Sequence, residues 1–338
     1  MNIGGDPKMS KQSMKRDQVV KEMADLVAKA LKEGKKPWLK PWDTSKCKTG
    51  LAHNVVSGKA YRGINQFILG YTSGDIEFAS FKQWSELGRK HAIKQGQYDL
   101  VESSDGKPYK KANEYYGVQK GESAHTVVFF TMIKVKDKDD PEQEKRIPIL
   151  KWHKVFGRSQ TNLPIPELPD EEKPEPTEFT EAAQAAHDQM HKWLESEGIK
   201  FTEVGARAFY SYGDDRVNMP VKEAFPSGFA YMPTFFHECT HATGHKKRCD
   251  REFGMRGDEK YAFEELIAEL GASLLCKHFN ILPSEALEDG LENQVSYLAS
   301  WLKRLESDPK MIIRAGSKAQ RAMDYILGTT FEEEKKDD

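Results

Sequence analysis

The sequence has few cysteines and no long apolar run, and these two features exclude several classes of protein. Its four cysteines, Cys47, Cys239, Cys249 and Cys276, form no C-x-x-C pair. Neither a zinc knuckle nor a disulfide framework is therefore expected. No stretch of 18 apolar residues is present, which argues against a transmembrane helix, and the first 16 residues lack the apolar core of a secretory signal. We expect a cytoplasmic protein that contacts no membrane.

The charge of the chain is divided unevenly along its length. The formal net charge is −2, but residues 1–165 carry 30 Lys and Arg against 19 Asp and Glu. The rest of the chain therefore holds a matching acidic excess. A basic first half joined to an acidic second half predicts that a polyanion binds the first half only.

A proline-rich acidic segment separates the two halves. Residues 162–179 contain five prolines among acidic residues, a composition that favours an extended linker without a core of its own. The predicted organisation is a disordered N-terminus (1–12), a first domain (13–161), the linker (162–179), a second domain (180–330) and a charged tail (331–338).

Hydrophobic periodicity predicts an α+β fold in both domains. In the first, an amphipathic helix over 13–33 precedes two long strands, 126–135 and 147–156, joined by a charged hairpin loop. In the second, a helix over 180–197 and short strands within 199–219 precede several further helices. We expect a small basic α+β domain followed by a mainly helical domain with a small sheet.

The central motif is His237-Glu238-Cys239-Thr240-His241, which reads H-E-x-x-H. Residues four apart share one face of a helix, so His237 and His241 can direct two imidazoles at one metal ion. Glu238 then lies beside the metal, where a general base can take a proton from water. This pattern predicts a metal-dependent hydrolase, and Glu238 is the predicted catalytic residue.

The third metal ligand has several candidates. A metzincin site would need a histidine three residues after Gly244, but Lys247 stands there and His245 is displaced by two positions. The helix predicted around 261–272 instead offers three carboxylates: Glu264, Glu265 and Glu269. Glu265 and Glu269 are four apart and share one face.

This second helix resembles the gluzincin arrangement, in which a glutamate from another helix completes a His, His, Glu site. The resemblance implies that Glu265 is the ligand and that Glu269 supports a ligand histidine from behind. Glu264 or Glu269 remains an alternative ligand. His245 is a further candidate for a supporting or substrate-facing role. The expected cofactor is a divalent metal, zinc in the first place and manganese as the alternative.

The first domain contains an unusual segment of aromatic and basic residues, whose two tryptophans either pack in a core or face a ligand. Trp38 and Trp42 alternate with lysines, including Lys40, on a stretch stiffened by prolines. Flat aromatic rings stack on unpaired bases and lysines neutralise phosphates. Tyr61, Arg62 and Asn65 follow at a predicted helix start, where polar groups suit phosphate or base contacts.

Several stretches together resemble the ArdC-type antirestriction family. They include Pro37-Trp38, Tyr61-Arg62-Gly63-Ile64-Asn65, Phe81-Lys82-Gln83, Lys120-Gly121-Glu122, the H-E-x-x-H motif with Gly244-His245, and the Glu264–Gly271 stretch. The resemblance covers nearly the whole chain. It implies a single-stranded-DNA-binding domain, with Lys120 among its contacts, fused to a zincin-like metallopeptidase domain of the gluzincin type. Such proteins belong to conjugative plasmids and phages, and they protect incoming DNA from restriction in the bacterial host cytoplasm.

The resemblance describes a biological effect and leaves the chemistry open. One alternative is a shield that binds single-stranded DNA and whose metal site is structural or vestigial. Another is a DNA-stimulated protease that acts on DNA-bound proteins. A host protein or peptide is the corresponding candidate substrate.

Overall fold

The structure is a computed structural model that describes residues 11–33, 50–105, 107–136, 144–164, 180–225, 228–255, 258–281 and 295–329. Trp38, Lys40 and Trp42 lie outside these ranges, as does most of the predicted linker. The helices are α1 (Lys11–Lys32), α2 (Ile64–Thr72), α3 (Phe81–Lys94), α4 (Glu181–Ser196), α5 (Gly228–Thr243), α6 (Glu259–His278), α7 (Val295–Ser307) and α8 (Met311–Leu327). The strands are β1 (His53–Asn54), β2 (Glu77–Ala79), β3 (Tyr98–Glu102), β4 (Pro108–Ala112), β5 (His125–Lys136), β6 (Glu144–Gly157), β7 (Lys200–Glu203), β8 (Phe209–Ser211) and β9 (Arg216–Met219).

The first domain is built on a four-stranded sheet of order β1-β2-β6-β5. Its main feature is the long antiparallel pair β5–β6, whose register runs from His125↔Val155 to Lys136↔Glu144. The sequence predicted both strands because each contains a run rich in apolar and β-branched residues. A second hairpin, β3–β4, was not predicted, because most of its side chains are exposed and it has no apolar face to produce a pattern.

Asn65 protects the open edge of this sheet. β5 is the terminal strand, and the Asn65 side-chain amide donates to the Val128 carbonyl at 2.7 Å and accepts from the Val128 N–H at 2.8 Å. Asn65 is buried on α2, with 6% of its surface exposed. An unpaired strand edge invites association, so the amide acts here as a substitute for a neighbouring strand. Asn65 thus has a structural role here, and the DNA contact predicted for it from the sequence remains a prediction.

The second domain places a three-stranded sheet of order β7-β9-β8 against a helical bundle. β7 runs parallel to β9, and β8 runs antiparallel to it, which leaves β8 at an edge. Within the bundle, α5 and α6 approach closely because Gly271 has no side chain. A Cβ atom at Gly271 would lie 2.5 Å from Cγ2 of Thr240, which is well inside the van der Waals contact distance.

The two domains share one hydrophobic core. Apolar residues of α1 and α2, such as Val20 and Phe67, belong to the same buried cluster as Phe235 of α5 and Trp301 of α7. The α+β, two-domain fold class is confirmed, and its two parts are joined by continuous packing rather than by a linker alone.

Polar contacts reinforce this junction. The Gly63 N–H donates to Oε1 of Gln320 at 3.0 Å, and Lys277 donates to the Gln66 carbonyl at 2.9 Å. The two backbones meet at glycines: a Cβ on Gly63 would lie 3.3 Å from the Gly316 carbonyl oxygen. A Cβ atom on Gly316 would lie only 2.8 Å from the backbone N of Ile64, so a side chain there would force α2 and α8 apart.

None of the helices described is both long and apolar enough to cross a bilayer.

Candidate metal centre

Helix α5 directs both motif histidines to one point. The Nε2 atoms of His237 and His241 lie 3.1 Å apart, as expected for residues one turn apart on one helix face. Phe235 and Phe236, which precede them, are fully buried and anchor the helix in the shared core.

Helix α6 brings Glu265 to the same point. Its Oε2 lies 3.6 Å from Nε2 of His237, and its Oε1 lies 3.4 Å from Nε2 of His241. Among the described residues, these three form the only group whose ligand atoms all lie within 4.8 Å of one another. Tetrahedral ligands about 2.0–2.2 Å from zinc are about 3.3–3.6 Å apart. The three side chains therefore fit a divalent ion.

The two neighbouring glutamates lie behind the histidines. Oε1 of Glu264 is 3.3 Å from Nδ1 of His241, and Oε1 of Glu269 is 3.9 Å from Nδ1 of His237. Carboxylates in this position orient a ligand histidine and fix its tautomer. This geometry favours Glu265 as the third ligand and gives Glu264 and Glu269 supporting places.

Glu264 is itself held by a buried arginine that the sequence did not reveal. Arg251 donates from Nε to Oε2 of Glu264 at 2.9 Å and from Nη2 to Oε1 at 2.6 Å. It also donates to the Thr240 carbonyl and to Oγ1 of Thr243. Each partner of the Arg251–Glu264 pair has only 3% of its side chain exposed. Arg251 lies in the loop after α5, and no local pattern predicts that this loop returns to α6.

The buried charges shift one another's ionisation. Burial opposes the charge of His241, but hydrogen bonds with Glu264 and Glu265 outweigh it and raise its pKa to about 10. Burial likewise opposes ionisation of Glu265, yet hydrogen bonds with His237 and His241 hold its pKa well below the usual range. The carboxylates therefore favour positive charge at the centre, which is the charge that a metal ion would supply.

Glu238 lies next to the metal ligands without being one of them. Only 8% of its surface is exposed, and burial raises the pKa of its carboxyl despite the nearby histidines. The backbone of Tyr210, on β8, lies close enough to oppose this rise in the pKa of Glu238. The open edge strand of the small sheet thus reaches the predicted catalytic residue.

His245 is placed beyond this inner group. Its Nδ1 accepts from the Lys247 N–H at 3.2 Å, and its ring centroid lies 4.6 Å from that of Tyr212. Ring contacts continue from Tyr212 through Phe253 to His241. Burial lowers the pKa of His245. Among the described residues, these rings connect His245 to the centre.

The predicted DNA contacts are spread over different environments. Tyr61 is half-buried, and its ring meets Phe78 edge-on. Arg62 forms an ion pair with Asp324 of α8, so its guanidinium contacts the junction between the domains. Lys120 is exposed beside a turn. For Tyr61, Arg62 and Lys120, as for the tryptophan segment, DNA binding remains a prediction.

Comparison with known proteins gives two family matches. Residues 17–156 match the family described as the N-terminal domain of the anti-restriction factor ArdC, and residues 188–318 match the zincin-like metallopeptidase family.

Among relatives, the protein y4eC of Sinorhizobium fredii is 28% identical over 91% of this chain and 91% of its own length. A DNA primase TraC of Escherichia coli is 27% identical over 90% of this chain, which spans 19% of that primase.

Two solved structures are similar along nearly their whole length. The metal-free crystal structure of the antirestriction ArdC protein from the R388 plasmid superposes with a TM-score of 0.65 at 30% identity. It covers 91% of this chain and 96% of that one. The Mn(II)-bound structure of the same protein gives a TM-score of 0.64 at 28% identity, over 91% and 97% of the two chains. Together with the paired domains and the histidine–glutamate centre, these matches show that the chain belongs to the ArdC family of antirestriction proteins.

Proposed function

We propose that this chain is an antirestriction protein of a plasmid or phage that binds single-stranded DNA and carries a metal-dependent peptidase site. One observation supports the peptidase part of this proposal. The ligand atoms of two histidines and one glutamate lie within 4.8 Å of one another, and a further carboxylate, that of Glu238, is buried beside them without being a ligand. A purely structural site would gain nothing from that carboxylate, because its burial costs free energy.

His237, His241 and Glu265 would hold the metal. A His, His, Glu set occurs in catalytic zinc enzymes, and zinc is the proposed ion, with manganese as the alternative. When bound, the ion would polarise a carbonyl and acidify water.

Glu238 would act as the general base. Its raised pKa moves it toward the working range of a base near neutral pH. Glu264 and Glu269 would keep the histidines oriented, so that both Nε2 atoms stay directed at the ion.

The edge strand β8 offers a place for an extended peptide. Its position at the end of the sheet leaves one side unpaired among the described strands, and the backbone of its Tyr210 lies near Glu238. A peptide added alongside β8 would lie with its backbone near the base. The substrate class is therefore an unfolded or extended protein segment, such as a loop or terminus of a host protein.

Substitution of Glu238 by Gln tests this proposal. Zinc content of the purified full chain is measured by mass spectrometry, and cleavage of fluorescein-labelled denatured casein is followed with and without single-stranded DNA. We expect metal content to persist and cleavage to fall by about 10²–10⁴-fold, because a general base is lost while the ligands remain. Glu195→Gln, an exposed carboxylate on α4, is the matched control.

The same variant decides between peptidase and shield. Protection of transferred DNA is measured in a restriction-proficient recipient that expresses either protein. Loss of protection with Glu238→Gln supports a peptidase mechanism. If Glu238→Gln no longer cleaves but still protects DNA fully, the peptidase mechanism is wrong and the protein acts as a DNA shield.

A further inference from the structure

The long hairpin β5–β6 exposes a pair of stacked rings. The centroids of Phe129 on β5 and His153 on β6 lie 4.8 Å apart, and their planes differ by 5°. Phe129 keeps 37% of its surface exposed, and His153 is exposed as well. Exposed aromatic rings lose the stabilisation of burial, so two rings held parallel at a surface indicate a site prepared for a flat ligand.

The ring pair continues a wall of packed side chains. Alternation along the strands puts Val127 and Phe129 on the same sheet face as His153 and Val155. Val127 and Val155 are buried in a cluster with Phe78, against which Tyr61 packs. The buried cluster fixes the inner end of this face and leaves Phe129 and His153 uncovered at its outer end among the residues described.

The same face of the hairpin carries a lysine. Lys151 is exposed and lies directly opposite Phe129 in the strand register. Lysine side chains beside flat rings complement a ligand that has both planar bases and phosphates.

Unpaired bases fit this surface better than a duplex does. In a duplex the base faces are stacked on one another, and only phosphates and groove edges are accessible. A single strand offers each base face to an aromatic ring, while its backbone remains available to lysine.

We propose that Phe129, His153 and Lys151 form a stacking site for single-stranded DNA, which we call the hairpin platform. This inference deepens the proposed function and depends on it. It assigns DNA contacts to three residues that were not among the sequence predictions, and it connects them with Tyr61 on the same face.

The test uses the full chain and a fluorescein-labelled 20-nucleotide oligo(dT), followed by fluorescence anisotropy across a salt series. Phe129→Ala should weaken binding roughly 5- to 100-fold because a stacking contact is lost. Phe129→Tyr should restore binding to within about threefold, because it keeps the ring. Lys151→Ala should lower the salt dependence by about one phosphate contact, a slope change of about 0.7.

Two control variants remove similar groups elsewhere. Phe81→Ala deletes another exposed ring of the same domain, 54% exposed and in contact with Phe156 on the opposite sheet face. Lys200→Ala removes an equal charge from exposed β7 in the second domain. Both variants should bind the oligonucleotide like the unmodified protein.

The outcomes separate the platform from the DNA-binding function. If the unmodified chain binds and Phe129→Ala and His153→Ala match Phe81→Ala, the platform is wrong and DNA binding stands. If the unmodified chain does not bind, both proposals fail.

Photocrosslinking gives an answer that does not depend on variants. With oligonucleotides containing 5-iododeoxyuridine, the platform predicts crosslinked peptides that include Phe129 or His153. Crosslinks confined to other segments would overturn it.

Discussion

At the scale of single residues, the metal centre depends on side chains that never touch a metal. Glu264 supports His241 from behind, and Arg251 keeps Glu264 ionised and in place. Each buried charge is tolerable only because its partner is present. The orientation of His241 therefore depends on the guanidinium of Arg251, which acts on it through Glu264.

Replacing Arg251 by Met is expected to destabilise the protein by about 3–5 kcal/mol, because the buried Glu264 loses its partner. Zinc affinity should fall about 10- to 100-fold as His241 loses its orientation. Urea unfolding and competition with a chromogenic chelator measure the two effects. Arg89→Met, which removes an exposed arginine paired with Glu86, is the control.

A double variant separates these two effects. Adding Glu264→Leu to Arg251→Met removes both buried charges, and stability should largely recover because no charge is left unpaired. Zinc affinity should stay low, because His241 still lacks its supporting carboxylate. Recovery of both properties would contradict the orienting role of Glu264.

A second histidine pair, on α4, predicts sensitivity to acid. Nε2 of His187 lies 3.1 Å from Nε2 of His191, and both rings pack near Phe235. Burial, together with the charges of His191 and Lys222, lowers the pKa of His187 to about 4, despite the opposing effect of Asp188. Burial also lowers the pKa of His191, where Glu203 and Glu195 oppose the shift.

The sign of the effect follows from proton binding. Between pH 6.5 and 4 the unfolded chain binds a proton at His187 and the folded chain does not. The stability that the neutral ring provides is therefore present above pH 6.5 and is lost as pH falls towards 4. His187→Gln should show a shallower decline in melting temperature from pH 7 to 5 than the unmodified protein. Gln189→Ala, at an exposed residue of the same helix that does not titrate, should decline in parallel with the unmodified protein.

At the scale of secondary-structure elements, both domains rely on close approaches that small or polar residues permit. Gly271 lets α6 lie against α5, and this contact brings Glu265 to the two histidines. Asn65 joins α2 to the open edge of β5. In each case one small residue decides where a long element lies.

Asn65→Leu should lower the free energy of unfolding by about 1–3 kcal/mol, because the buried N–H and C=O of Val128 lose their partner. The exposed edge should also increase self-association at high protein concentration. Chemical denaturation and analytical ultracentrifugation measure these effects. Asn113→Ala, at an exposed asparagine of the same domain, should change neither.

The sequence predicted those parts of the site that lie on one element. The spacing of His237 and His241 determines their common face on any helix, and likeness to gluzincins selected Glu265. Arg251 and the main role of Glu264 depend on how a loop folds back, which local periodicity does not encode. The polar character of Asn65 was visible, but its partner, the edge of β5, lies more than 60 residues away.

At the scale of the whole molecule, the proline-rich segment suggested two separable units, whereas the shared core joins them. Buried residues of α1 and α2 pack with those of α5, α7 and α8. The basic half is therefore held against the acidic half, and DNA bound to the first would lie at a fixed position relative to the metal centre in the second.

One cooperative unfolding transition follows from this shared core. Scanning calorimetry of the metal-free full chain should give a calorimetric enthalpy close to the van't Hoff enthalpy. Gly63→Val, which forces α2 away from Gly316, should split or broaden the transition. Gly58→Val, at a turn glycine with open space around it and a similarly positive φ, controls for backbone strain. Two resolved transitions in the unmodified protein would show that the domains are independent.

The contact between α1 and α7 also determines how late in synthesis the shared core can be completed. About 260 residues separate the end of α1 from the start of α7, so a ribosome adding about 5–20 residues per second needs roughly 13–50 s to join them. During that time the apolar side chains of α1, such as Val20, Met23 and Val27, lack the part of their packing that α7 provides. The newly made first half is thus the form of this protein most exposed to aggregation, and the one with most to gain from a chaperone.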